Sequence, residues 1–555
     1  MEENNSHYQD SHASMIKGSA WMTFGSIMSR ILGAIYIIPW YAWMGSHGNI
    51  ANALTAKSYN IYSVFLLIST AGIPGAVAKQ VAKYNALNEY GIGRRLFRRG
   101  LSLMIILGII SSAVMYFCAP ALATNNILGT LLHGGHSDPR QVAVMRSLSV
   151  AVLIIPVLSI LRGYFQGYSD MMPPAMSQFF EQLARVVWML LTAYVIMQVQ
   201  HGSYVRAAVQ SNYAAAIGAL FGILLLVGFL WKRRKRLHEL YENSNNALQV
   251  STSSLLWEIV QQSIPFIILD SGITLFQLID QYSFHPMIAH FVHVSSDTIE
   301  TWYALFGLNA NKLIMIIVSL ASAMAITAIP LLSAARTRRD WQDISNQVEN
   351  ILELFLFIMI PASLGMAAIS VPVYTIFYGY DPLGSSVLYL SAFTAISLGM
   401  FTVLTAVLQG LSENRLAIRY LLLGLIIKLV LQYPLISMFK IYGPLLATNC
   451  GIIAIAILSL RHLRLTYHFN ASRTARRFVG IAGFSLIMFV LALLLVKVGF
   501  SFLNVRSRMA SMVVVAVVVI VCAVFYAAAT LYTGLAERIL GSKVTRITER
   551  FHLHI

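Results

Sequence analysis

The residues of this chain that could do chemistry stand out by interrupting apolar sequence. In RGYFQGYSDMMPPAMSQFFEQLARVVW at 162–188, Gln178, Glu181, Gln182 and Arg185 fall at i, i+3, i+4 and i+7 and share one helical face. Glu181 precedes Arg185 by four residues, the favourable order for a pair within one helix. Ionisable groups cost several kcal/mol against lipid, so such a stripe serves one of two ends. Either the charges neutralise each other and join helices, or they line a wet path for an ion or a charged cargo.

Other charges stand at comparable depth. Arg30 shares a face with Thr23, Ser26 and Gly33; Asp270 and Asp280 lie in one apolar segment; Lys312 opens another; Lys428 lies inside a third. Arg30, Arg185, Glu181, Lys312 and Lys428 are therefore candidate cavity residues. Asp280, Glu181 and Asp270 are candidates for coupling to an ion gradient or the membrane potential. The set is slightly positive, which suits an anionic cargo, although Lys312 also fits an interfacial snorkelling role. Gly72, Pro74 and Gly75 should break or bend their helix, as a packing kink or a gating hinge. The three cysteines are isolated, the histidines have no ligand spacing, and no GxxxxGK[ST] loop occurs, so neither metal, cofactor nor ATP hydrolysis is indicated.

The elements that must hold these residues are membrane helices. The chain of 555 residues is 57% hydrophobic and 11% charged, far from a soluble average. Apolar runs long enough to cross a bilayer recur about fourteen times. They lie near 19–44, 59–78, 101–124, 147–166, 174–198, 211–231, 259–283, 309–332, 351–370, 386–409, 416–438, 443–460, 478–499 and 510–533. Most Lys and Arg, including WKRRKR at 231–236, fall in alternate segments, which places both termini in the cytoplasm. The net charge of +17 then reflects topology and anionic headgroups rather than nucleic-acid binding. Residues 340–354 alternate polar and apolar positions, as in a helix on the cytoplasmic surface leading into the segment 351–370.

The chain also repeats itself. Phe165-Gln166-Gly167-Tyr168-Ser169-Asp170 aligns with Leu408-Gln409-Gly410-Leu411-Ser412-Glu413 at an offset of 243, which sets Arg185 on Lys428. Parallel repeats of this kind build transporters around a midplane site. The expected fold is all-α, with two pseudo-symmetric six-helix lobes around a central cavity and two further helices. The expected division is an N-terminal lobe over 1–231, a basic linker over 232–256, a C-terminal lobe over 257–462, and appended lipid-facing helices with a tail over 463–555.

MSRILGAIYIIP at 28–39, the block at 162–188, LIDQ at 278–281 and LQGLSENRLAI at 408–418 resemble the polysaccharide-exporter and MurJ-type lipid II flippases, especially their YtgP-like and SpoVB-like Gram-positive members. The resemblance covers essentially the whole chain. It implies a V-shaped central cavity, a lipid-tail groove at the last two helices, and a multi-pass cell-membrane protein acting as a monomer on a lipid-linked saccharide. It also implies that Arg30 is the cavity arginine of the first helix and Lys312 the basic residue of helix 8. Tyr36 stands where Gram-negative members carry a second arginine. Rival readings are a different lipid-linked precursor, a multidrug or cation antiporter, or a membrane glycosyltransferase. The antiporter would favour acidic and aromatic cavity residues, and the glycosyltransferase would need paired acids in outer loops.

Overall fold

The apolar runs and their proline and glycine punctuation dictate where helices form. A computed structural model describes residues 28–540 except 30, 31, 34, 71, 125–136, 169 and 245–251. Among the described residues every regular element is helical, and the chain divides into two compact units between Thr274 and Leu275.

The first unit contains α1 (Ile37–Met44), α2 (Gly48–Thr70), α3 (Ile73–Ala86), α4 (Tyr90–Leu122), α5 (Pro139–Gly167), α6 (Met172–Tyr194), α7 (Tyr204–Lys232), α8 (Arg234–Glu242) and α9 (Thr252–Asp270). α10 (Gly272–Phe291) begins at the division. The second unit continues with α11 (Ser296–Ala304), α12 (Asn311–Arg338), α13 (Trp341–Ala368), α14 (Ser370–Tyr378), α15 (Pro382–Gly410), α16 (Asn414–Phe439), α17 (Gly443–Tyr467), α18 (Ala471–Phe502), α19 (Arg508–Tyr532) and α20 (Leu535–Leu540).

Ten helical runs among the described residues are long and apolar enough to cross a membrane, or eleven if one bent pair counts as a span. The sequence suggests about fourteen, and four differences account for the gap. Segment 19–44 falls largely outside the described residues. Segment 59–78 is divided between α2 and α3, and α2 buries Asn52, Lys57, Ser58 and Asn60, which makes it too polar to qualify. Segment 259–283 is bent by 46° between α9 and α10. Segments 416–438 and 443–460 form one continuous run, Asn414–Tyr467.

The break between α2 and α3 follows from Gly72. Its φ of +75° lies in the left-handed region, and Pro74 sits in the first turn of α3, where its missing N–H costs nothing. Gly75 lies in the same turn.

The apolar stretches of α5 and α15 are each 61% buried, against 17% for α19, so α5 and α15 are the inner helices of their units. They match beyond the aligned turn. Each has 29 residues, starts at an Asp-Pro pair and ends at the aligned glycine. Asp138 accepts from Arg140 N and Asp381 from Leu383 N, both at 2.9 Å, and 138 + 243 = 381.

The C-terminal pair is more than a lipid-facing appendage. α18 docks on α13 through Arg473–Glu349 at 3.7 Å and Arg477–Glu353, with both carboxylates buried. Tyr526 of α19 donates to Phe357 O at 3.1 Å. Residues 340–354 are helical and lead straight into the segment 351–370: α13 runs unbroken from Trp341, and Ile344, Val348 and Leu352 make its buried face.

Candidate functional site

In the first unit the polar stripe of α6 is a three-membered ion cluster. Arg185 Nη2 lies 3.1 Å from Glu181 Oε1, as the i, i+4 spacing predicts. Arg162, from the last turns of α5, places Nη2 2.7 Å from Glu181 Oε2 and donates through Nε to Ser177 Oγ at 2.8 Å. The cluster carries one surplus positive charge, and Arg185 Nε is buried with no partner among the described residues. The three side chains are 14–24% exposed, so they are neither dry nor open. Only 11% of the apolar stretch of α6 is buried, the lowest share of the ten runs, so its own unit leaves this helix largely uncovered. On the covered side, a Cβ at Gly33 would lie 3.3 Å from Gln182 Nε2, so Gly33 approaches the stripe.

In the second unit the aligned cation is enclosed. Lys428 of α16 has a side chain of zero exposure, with Nζ 2.7 Å from Asp280 Oδ2 and 2.6 Å from Thr448 Oγ1. Gln432 donates to Asp280 Oδ1 at 2.9 Å and to Ser283 Oγ at 3.1 Å, and the ammonium stands over the Phe276 ring. The two cations occupy equivalent positions but take their carboxylates from different places. Arg185 uses its own helix, whereas Lys428 uses α10.

The repeated turn is closed by the same hydrogen bond in both units. Asp170 N bonds Phe165 O at 3.1 Å and Glu413 N bonds Leu408 O at 2.8 Å. The acid then fastens the end of the sixth helix of each repeat. Asp170 pairs with Arg233, while Glu413 receives Tyr467 Oη and meets His462 Nε2, each at 2.6 Å. The preceding glycine permits close packing: a Cβ at Gly167 would lie 2.7 Å from Val81 Cβ, and one at Gly410 would lie 3.0 Å from Leu332 Cβ.

The remaining candidates are dispersed. Arg30 lies outside the described residues. Lys312 is half-buried and is the second residue of α12, within the continuous run Ser296–Arg338. Only Asn311 separates it from a π-helical segment, Leu305–Ala310, a distortion frequent at functional sites. Asp270 is exposed at the end of α9. Gly72, Pro74 and Gly75 form the α2–α3 break, and a Cβ on Gly72 would strike Ser263 Oγ at 2.5 Å. Arg162 and the buried Lys57 of α2 escaped the sequence reading. Arg162 opens the block quoted above but aligns with Thr405, so the repeat gave it no weight, and Lys57 lies N-terminal to the apolar run 59–78.

Comparison with known proteins decides the family. The profile described as polysaccharide biosynthesis protein matches residues 15–336. Lipid II flippase MurJ of Bacillus subtilis (strain 168) is 32% identical over 540 residues, 96% of this chain and 97% of its own. This chain belongs to the polysaccharide biosynthesis protein family. Its fold also recurs in solved structures. A lipid II flippase MurJ in an inward closed conformation superposes with a TM-score of 0.58 at 12% identity, over 94% of this chain and 99% of that one. An inward-facing MATE multidrug resistance transporter of the MOP superfamily gives 0.61 at 12% identity, over 80% and 95%. At that identity the likeness establishes the fold alone.

Proposed function

We propose that this protein is a flippase, not an enzyme, and that it moves a polyprenyl-pyrophosphate-linked saccharide from the inner to the outer leaflet of the cell membrane by alternating access. The cargo is lipid II for peptidoglycan synthesis. The observation that carries this reading is the 32% identity to lipid II flippase MurJ over nearly the full length of both chains.

The chemistry agrees with it. The lipid tail needs no help in a bilayer, whereas the pyrophosphate and sugars need a wet passage with fixed positive charge. Arginine offers a fork of donors to phosphate oxygens, and lysine a movable point charge. In this reading Arg30, Lys312 and the Arg162–Glu181–Arg185 cluster, with its buried Nε donor without a partner, face the cargo. Lys428 is the aligned cation of the second unit but is tied to Asp280, so its contribution is to hold that unit's helices together. Glu181 and Asp270 are the carboxylates for coupling to an ion gradient or the membrane potential, Asp280 being committed to Lys428, and Gly72, Pro74 and Gly75 are the hinge. The protein works as a monomer in the membrane of a Gram-positive bacterium, with both termini cytoplasmic.

The test is complementation of a conditional bacterium lacking every lipid II flippase, scoring growth and the fraction of lipid II exposed outside. The intact chain should rescue and a well-inserted Arg30→Ala variant should not. Absence of rescue by the intact chain would refute lipid II as cargo and leave another lipid-linked saccharide.

A further inference from the structure

A cavity of about 500 Å³ lies at the basic end of the first unit, among the ends of α4, α5 and α7 and the short helix α8. Four cations line it: Arg94 and Arg98 from α4, and Arg234 and Lys235 from α8. No carboxylate lines it, and among the described residues none of the four cations has a carboxylate partner. Asp170 is engaged by Arg233 and Glu242 by His238 at 3.2 Å, and Glu239 of α8 does not line the cavity. Four like charges held together without counter-charge focus the field on an anion.

The floor is rigid and aromatic. Phe97 stacks on Tyr164 with ring centroids 4.1 Å apart, Tyr164 shares a hydrogen bond with Tyr241, and the Arg94 guanidinium lies 4.6 Å over the Tyr241 ring. Beside the cavity, Leu224, Val227 and Trp231 of α7 fall at i, i+3 and i+7 and are 67%, 48% and 68% exposed. This is an apolar stripe at membrane depth that ends in a tryptophan, with the Arg234 guanidinium 5.2 Å over its ring. A positive pocket continuous with a lipid-facing stripe matches a ligand with an anionic head and apolar chains.

We propose that this pocket is a headgroup site for an anionic phospholipid of the cytoplasmic leaflet, with the phosphate held by Arg94, Arg98, Arg234 and Lys235 and the chains lying along Leu224, Val227 and Trp231. The site is separate from the ion cluster of α6, and its occupancy can be read without any transport measurement. Failure of this proposal and failure of the lipid II reading are therefore distinguishable.

The experiment is retention of phosphatidylglycerol against phosphatidylcholine by the purified full-length protein in detergent, read by native mass spectrometry. The intact protein should retain phosphatidylglycerol preferentially. Each neutralised cation should weaken retention about fivefold, the equivalent of about 1 kcal/mol, so Arg94→Gln/Arg98→Gln/Arg234→Gln should lose on the order of a hundredfold. Phosphatidylcholine retention should stay unchanged, and the matching Arg→Lys triple variant should keep most of the preference. If the glutamine triple does not fold, Arg234→Gln on the exposed helix α8 should still show the fivefold loss. Unchanged phosphatidylglycerol retention in the folded variants would overturn the proposal. So would its displacement by inorganic phosphate, which would make the site one for a soluble anion.

Discussion

Lys428→Met is the substitution whose consequence the structure fixes most tightly. Methionine keeps the length of the side chain and removes its charge. Asp280 Oδ2 then loses the ammonium at 2.7 Å, and the carboxylate, 11% exposed, keeps only the Gln432 bond at 2.9 Å. Stranding one member of a buried ion pair costs about 3–5 kcal/mol, because the remaining charge has been taken out of water without compensation. Asp280→Leu strands the ammonium instead, with Thr448 as its remaining hydrogen-bond partner, and should cost a similar amount. The double variant Lys428→Met/Asp280→Leu removes both charges and should lie within about 2 kcal/mol of the parent, since an apolar pair can replace a buried ion pair at little loss. The cycle should therefore give a coupling of at least about 3 kcal/mol. Arg185→Gln breaks a pair whose side chains are 21% and 14% exposed and leaves Glu181 paired with Arg162. Glu181 keeps its Arg162 partner, so no carboxylate is stranded and the loss there should be smaller, about 1–2 kcal/mol. The assay is denaturant unfolding of the purified protein in detergent. A Lys428→Met variant within about 1 kcal/mol of the parent, or a double variant less stable than both singles, would refute the assignment of Lys428 to a closed structural pair.

Three further outcomes are expected. Gly167→Ala and Gly410→Ala should each lose about 1–3 kcal/mol in the same unfolding assay, because the new Cβ meets Val81 or Leu332 at 2.7 or 3.0 Å. Asp138→Ala and Asp381→Ala each remove one helix cap and should cost about 1 kcal/mol apiece in thermal unfolding, the Asp138 loss being the larger because it also gives up the Arg140 pair at 3.1 Å. Arg162→Gln should leave the protein well inserted yet lower outer-leaflet exposure of lipid II, since it removes the surplus charge of the α6 cluster; undiminished exposure would exclude Arg162 from the path.

The all-helical membrane class was legible because a bilayer demands long apolar runs and tolerates few charges. The Glu181–Arg185 pair was legible for a related reason: both groups lie on one helix, where spacing determines contact. Lys428–Asp280 was only half legible. Each residue could be flagged as an intramembrane charge, but 428 − 280 = 148 residues separate them, and no local rule says which helices meet. Arg162 failed for the same reason, since its contact with Glu181 depends on how α5 and α6 pack. The docking of α18 on α13 was missed because Glu349 and Glu353 belong to an alternating stretch that looks surface-bound until Arg473 and Arg477 are placed opposite them. The repeat ran further than the aligned turn suggested. The Asp-Pro pair that starts each inner helix became recognisable only when both helices proved to share length, cap and terminal glycine.

The two aligned ion sites differ in their electrical content. Arg162 and Arg185 against Glu181 sum to one positive charge, whereas Lys428 against Asp280 sums to zero. Electrical work acts only on net charge, at about 2.3 kcal/mol for one elementary charge carried across 100 mV. The first unit's site therefore feels the membrane potential and the second unit's does not. An anionic cargo that settled on the first site would cancel its charge and with it that sensitivity, making the voltage response of this protein a reporter of whether its polar cluster is filled.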